Sequence, residues 1–185
     1  MRLPAITSVS LALILALAST TLAQERMPAA GSVAAGFDVG VFVPRSNELS
    51  NSLLLNGTYE DYVTPRVSVR AGFGWSNPGF SIGAVDSLMQ MPLTIGGQYN
   101  WEGGKWHPFV GAGVGAYFLR FQSALAPTDT DNTDTRFGFN TGGGIEYFLN
   151  RTVAVKGEGQ YHSIKDARGE EPSGLGLTVG LKTYF

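Results

Sequence analysis

Apolar side chains alternate with polar or small ones along most of the chain, at the two-residue period of a β-strand and not the 3.6-residue period of a helix. The clearest stretch runs from Arg66 to Trp75. Val67, Val69, Ala71, Phe73 and Trp75 share one face; Arg66, Ser68, Arg70, Gly72 and Gly74 share the other. Residues 89–101, 153–163 and 174–185 repeat the rule, and residues 33–43, 53–63, 106–121 and 135–149 follow it less strictly. Eight strands are therefore expected. The gaps between them also alternate in kind. Thr64-Pro65, Glu102-Gly103-Gly104-Lys105 and Asn150-Arg151 are tight turns, built from residues that turns favour for their fixed or permissive backbones. The gaps near 44–52, 76–87, 122–134 and 165–173 are longer and polar. Short turns at one end and long loops at the other, with an even strand count, describe an all-β, antiparallel, up-and-down transmembrane barrel whose two chain ends lie on the short-turn side.

Alternation alone does not say which face is outside, because a soluble lipocalin-like barrel has the same period with the opposite polarity. Three features favour an apolar exterior. Ionisable residues within the strands gather on one face: Asp38, Glu60, Arg66, Arg70, Arg136, Glu146, Lys156, Glu158 and Lys182. Both signs are present, as a buried paired network requires. Glycine favours the same face, as at Gly72, Gly96, Gly142, Gly144, Gly176 and Gly180, and an eight-stranded lumen is so narrow that small residues must alternate with large ones. On the apolar face, Trp75, Tyr99, Trp101, Tyr147, Tyr161 and Phe185 stand towards strand ends, where rings with one polar edge form interfacial girdles. The charged face is thus expected to form a lumen network and the aromatic set a girdle.

The first residues change the picture of where the barrel goes. Arg2, the apolar run Leu11 to Ala18 and the small residues Thr21 and Ala23 have the layout of a secretory signal peptide. Residues 1–23 are expected to be removed, leaving a periplasmic segment at 24–32 and the barrel at 33–185. With no run long enough for a spanning helix, strands must do any crossing. The charges, 13 Lys+Arg against 15 Asp+Glu, provide no basic field for nucleic acid. Cysteine is absent, which excludes disulfides and thiolate chemistry.

Several stretches resemble one family. His107-Pro108-Phe109-Val110-Gly111-Ala112-Gly113-Val114-Gly115 looks like a central strand of small outer-membrane barrels of the OmpA/OmpX/OmpW type. Gly142-Gly143-Gly144-Ile145-Glu146-Tyr147-Phe148-Leu149 is similar to a hairpin strand of the outer-membrane β-barrel domain family. Leu181, Thr183, Tyr184 and Phe185 resemble the terminal-aromatic signal read by the barrel-assembly machinery, with Thr183 where an apolar residue is common. The resemblance implies residence in the outer membrane of a Gram-negative cell, in contact with its lipid, including lipopolysaccharide. It also implies handling by periplasmic chaperones and the assembly machinery, and no cofactor. The chain stops at its last strand, so no appended peptidoglycan-binding domain is expected.

Candidate chemistry is sparse. His162-Ser163, with Glu170 or Glu171 nearby, weakly resembles the arrangement of lipid A deacylases, but adjacent strand residues point to opposite faces and cannot form a base–nucleophile pair. His107, beside Pro108, reads as an interfacial side chain and not a metal ligand. Residues 129–134 are rich in Asp but lack the glycine and glutamate positions of an EF-hand, so a solvated acidic loop is expected there, with a weak divalent-cation site as the alternative. Phe118, Leu119 and Phe121 are candidates to line an apolar mouth, and girdle packing explains them as simply. The leading expectation is a non-enzymatic barrel with a closed, charged lumen and four extracellular loops, serving envelope integrity, adhesion or surface interaction. A narrow conduit for small hydrophobic solutes, OmpW-like, and a lipid A-modifying enzyme are the alternatives.

Overall fold

The period-two segments all become strands in the computed structural model, which describes residues 28–80, 87–101, 104–122, 133–167, 169 and 171–185. They are β1 (Val33–Pro44), β2 (Ser52–Tyr62), β3 (Val67–Ser76), β4 (Ser87–Asn100), β5 (Trp106–Gln122), β6 (Thr133–Phe148), β7 (Val153–Ile164) and β8 (Gly174–Tyr184). Each pairs antiparallel with its sequence neighbours, and β1 pairs with β8, so the sheet closes into a barrel in simple up-and-down order. The seam is stitched at its base by Phe185 N–H to Val33 O at 2.8 Å and Val33 N–H to Phe185 O at 3.2 Å. The expected signal segment lies outside the described residues.

Local chemistry explains where strands stop. In the β2–β3 turn, Thr64 Oγ1 accepts from the backbone N–H of Arg66 at 3.2 Å and of Val67 at 3.0 Å. Asn150 Oδ1 does the same in the β6–β7 turn, accepting from Thr152 and Val153 N–H at 2.8 Å each. Gly104 supplies the left-handed residue of the β4–β5 turn, with φ at 72°. Pro92 sits inside β4, where a proline removes a ladder donor. The β3–β4 ladder has no bridges at Gly74 and Trp75, opposite Pro92 and Met91, and resumes at Ser76–Gln90. Gly74 leaves room for the proline ring: a Cβ there would lie 2.9 Å from Pro92 Cγ.

The polarity is inverted relative to a soluble barrel. The exterior carries Phe37, Val39, Val69, Phe73, Ile95, Val114, Val179 and Leu181, with Val114 and Val179 each 61 % exposed. Fully buried side chains inside include Asp38, Glu60, Glu146, Lys156 and Lys182. At Gly40, Gly96, Gly142 and Gly144, on the inner face, the wall curves so tightly that neighbouring backbone occupies the inner side-chain space. A Cβ on Gly96 would press on the Ala112 carbonyl oxygen and lie 2.7 Å from Gly113 Cα; one on Gly157, on the outer face, would meet nothing within 4 Å. Gly96→Ala is therefore expected to lose about 1–3 kcal/mol by overpacking, whereas Gly157→Ala should be neutral or gain about 0.4–1 kcal/mol through the unfolded chain. Urea titration of vesicle-refolded protein measures both, and equal effects would remove the curvature explanation.

Candidate functional site

The lumen is filled in layers. At the short-turn end an aromatic floor joins Tyr62, Phe148 and Tyr184 with Ala34 and Ala154. The Phe148 and Tyr184 rings are 5.1 Å apart, and the His107 ring lies 4.7 Å from Phe148. At the long-loop end Leu88, Leu119, Phe121, Ile164 and Tyr117 pack with Leu49 from the first long loop and Ala167 from the last. The last loop is also tied across the mouth, where Gln90 Nε2 donates to Pro172 O at 3.2 Å.

Between floor and mouth runs a chain of alternating charge. Lys156 Nζ lies 2.8 Å from Asp38 Oδ2, near enough for an ion pair though not aligned as a hydrogen bond, and donates to Glu158 Oε2 at 2.9 Å. Arg70 grips the same carboxylate with both terminal nitrogens, at 2.6 and 2.7 Å, and its Nε is 3.9 Å from Glu60 Oε1. Lys182 then bridges Glu60 at 2.6 Å and Glu146 at 2.7 Å, while Tyr184 OH donates to the other Glu146 oxygen. The partners come from β1, β2, β3, β6, β7 and β8, so the chain ties opposite walls together. Gly36 and Gly180 make this reach feasible. Gly36 separates Thr58 from Lys182 on the wall, and Gly180 separates Asp38 from Lys156, so no side chain blocks either crossing.

Above the chain a cavity of about 20 Å³ is lined by Asn56, Arg70, Thr94, Asn140, Glu158 and Gln160. That is room for about one water molecule. Next to it Gln160 Nε2 donates to Asn140 Oδ1 at 2.9 Å, and the Tyr117 hydroxyl is 3.0 Å from His162 Nδ1.

Seven of the nine expected lumen charges come together in this chain: Asp38, Glu60, Arg70, Glu146, Lys156, Glu158 and Lys182. Arg66 does not. It is exposed in the β2–β3 turn, because the Thr64 hydroxyl holds that turn open one residue longer than the alternation suggests. Arg136 faces inward but sits nearer the mouth, paired locally with Asp134 at 2.7 Å. His107 is a second correction: it is buried inside the barrel base, not at the interface, with Nε2 3.2 Å from Gly104 O. His162 is buried in the lumen while Ser163 falls on the opposite face, and Glu171 engages Arg45 at 3.0 Å on the exterior. Leu119 and Phe121 line the mouth, but Phe118 points outward, 42 % exposed. Residues 129–132 and Glu170 lie outside the described residues.

The six girdle candidates all stand on the outer face. Trp75 and Tyr161 are at the long-loop end; Tyr99, Trp101, Tyr147 and Phe185 are at the other. Trp106, missing from that set, joins them 4.6 Å from the Tyr147 ring. In the terminal signal, Leu181, Thr183 and Phe185 face out and Tyr184 faces in. The floor tyrosines Tyr62 and Tyr184 and the mouth tyrosine Tyr117 are buried on the inner face. Strict alternation from Glu60, Lys182 and Gly115 would have marked all three.

The outer membrane protein beta-barrel domain model matches residues 9–185. The chain belongs to the outer-membrane β-barrel family. Its place is therefore the outer membrane, and its apolar exterior faces lipid. Among solved structures it is similar to Neisserial surface protein A, at 13 % identity over 85 % of this chain and 99 % of that one, with a TM-score of 0.70. It is also similar to OprG from Pseudomonas aeruginosa (14 % identity, 85 % and 97 % covered, TM-score 0.66). Ail, the attachment invasion locus protein of Yersinia pestis, matches at 14 % identity, with 84 % and 99 % covered and a TM-score of 0.56. No curated protein matches the chain.

Proposed function

We propose that the protein is a non-enzymatic, ion-tight barrel whose work is done by its four outer loops and its outer wall, in envelope integrity, adhesion or surface interaction. The observation that carries this reading is the Asp38–Lys156–Glu158–Arg70–Glu60–Lys182–Glu146 chain, laid between an aromatic floor and an apolar mouth. Ions crossing the lumen would have to break buried pairs at several levels. The separation of His162 from Ser163 across the wall supports a non-catalytic role. Lipopolysaccharide on the outer wall, and chaperones with the assembly machinery during biogenesis, are the partners that fit this reading. Single-channel recording on the unmutated barrel in a planar bilayer tests it. No steady conductance is expected; a steady porin-sized current would overturn the closed lumen in favour of the conduit.

A further inference from the structure

The aromatic girdle at the short-turn end is lopsided. Within three residues of that end, or just beyond it, β4, β5 and β6 present Tyr99, Trp101, Trp106 and Tyr147 outward; the other five strands present only Tyr59 and Phe185. Two of the protein's three tryptophans are in this one sector. The rings form two packed pairs, Tyr99 with Trp101 edge-on at 5.0 Å and Trp106 with Tyr147 at 4.6 Å, yet Tyr99, Trp101 and Trp106 remain 38, 45 and 53 % exposed. Lys105, exposed in the turn that joins β4 to β5, holds its ammonium 6.0 Å from the centre of the Tyr147 ring. That contact keeps the cation at the level of the rings instead of leaving it to swing into the periplasm.

We propose that this sector is a docking site for a single glycerophospholipid of the periplasmic leaflet. The lipid's phosphate meets the Lys105 ammonium, and its glycerol backbone and first acyl carbons lie against the Trp101 and Trp106 rings. The chemistry fits at each level. An ammonium at the membrane surface attracts a phosphate, indole and phenol edges donate hydrogen bonds to headgroup oxygens, and the ring faces pack against the acyl chain. A general girdle spreads such rings around the circumference. Concentrating them beside one cation creates a place where one lipid stays while its neighbours exchange. The inference rests on the barrel's place in the outer membrane and is independent of whether the lumen conducts.

The test is native mass spectrometry of the full barrel released from vesicles of phosphatidylethanolamine and phosphatidylglycerol. The unmutated protein is expected to keep one phospholipid. Lys105→Gln should cut the retained fraction about fivefold, the scale of one lysine–headgroup contact. Lys105→Arg should preserve it, and Trp106→Leu should lower it. Trp75→Leu at the opposite end and Arg151→Gln in another turn should leave it unchanged. Lys105 is an exposed turn residue, so its variants keep the barrel, and a heat-modifiability gel verifies this. Unchanged retention by Lys105→Gln, equal loss in the Trp75→Leu or Arg151→Gln controls, or displacement of the lipid by millimolar inorganic phosphate would each overturn the proposal.

Discussion

Removing Arg70 or Glu158 alone is expected to destabilise the barrel by about 3–5 kcal/mol, the scale for stripping one partner from a buried, hydrogen-bonded ion pair. The cause is the charge left behind. Arg70→Ala leaves Glu158, only 3 % exposed at its side chain, with Lys156 as its one cation, and that lysine already serves Asp38. Glu158→Ala leaves a guanidinium whose next carboxylate oxygen is 3.9 Å away. Losing both together should cost far less than the sum of the single changes, since no stranded charge remains. Replacing the pair by Met and Leu should come out near neutral. Equilibrium urea unfolding in lipid vesicles, arranged as a double-mutant cycle, reads the coupling directly. Single losses below about 1 kcal/mol would mean that water from the adjoining cavity screens the pair as it would at a surface.

Val179→Arg is the second large effect, and it probes the opposite face. Val179 is the middle residue of β8, faces outward and is 61 % exposed, bracketed on the wall by Val39 and Gly157. A cation on the lipid side near the bilayer midplane costs about 2–4 kcal/mol. Gly72→Ser, on the lumen side of β3, should be much milder: its Cβ would meet Thr94 Oγ1 at 2.8 Å, the end of a side chain that can rotate away. Folding yields in vesicles compare the two, and the reverse order would mean that the inside and outside have been exchanged.

Most of this architecture was legible because a strand's facing depends only on the parity of residue number. Once Val69 and Arg70 are placed on opposite faces of β3, the remaining positions of that strand follow. Parity failed where a turn's hydrogen bonds moved a boundary, as at Arg66, where the Thr64 hydroxyl delays β3. In β5, Pro108 and successive aromatic residues obscure the rule, which hides the outward place of Trp106 and the inward place of His107. Partner choice was not legible at all. Arg70 on β3 meets Glu158 on β7 across the barrel, a contact set by lumen width and side-chain reach, and neither leaves a trace in local sequence. The same holds for the Tyr62–Tyr184 floor, whose members come together only when the barrel closes. Of the tail residues that resemble the assembly signal, alternation sends Tyr184 inward to Glu146.

The β1–β8 seam has a kinetic consequence. It joins Ala34 through Pro44 to Gly174 through Tyr184, so the ladder of greatest sequence separation links the two ends of the sheet. Contacts of such high order are the slow ones, and until they form, both edge strands expose unpaired amides and carbonyls that can pair with another chain. Every on-pathway species short of closure is therefore an open sheet with an apolar exterior and two adhesive borders. The longer that seam stays open, the longer those borders can pair with another chain.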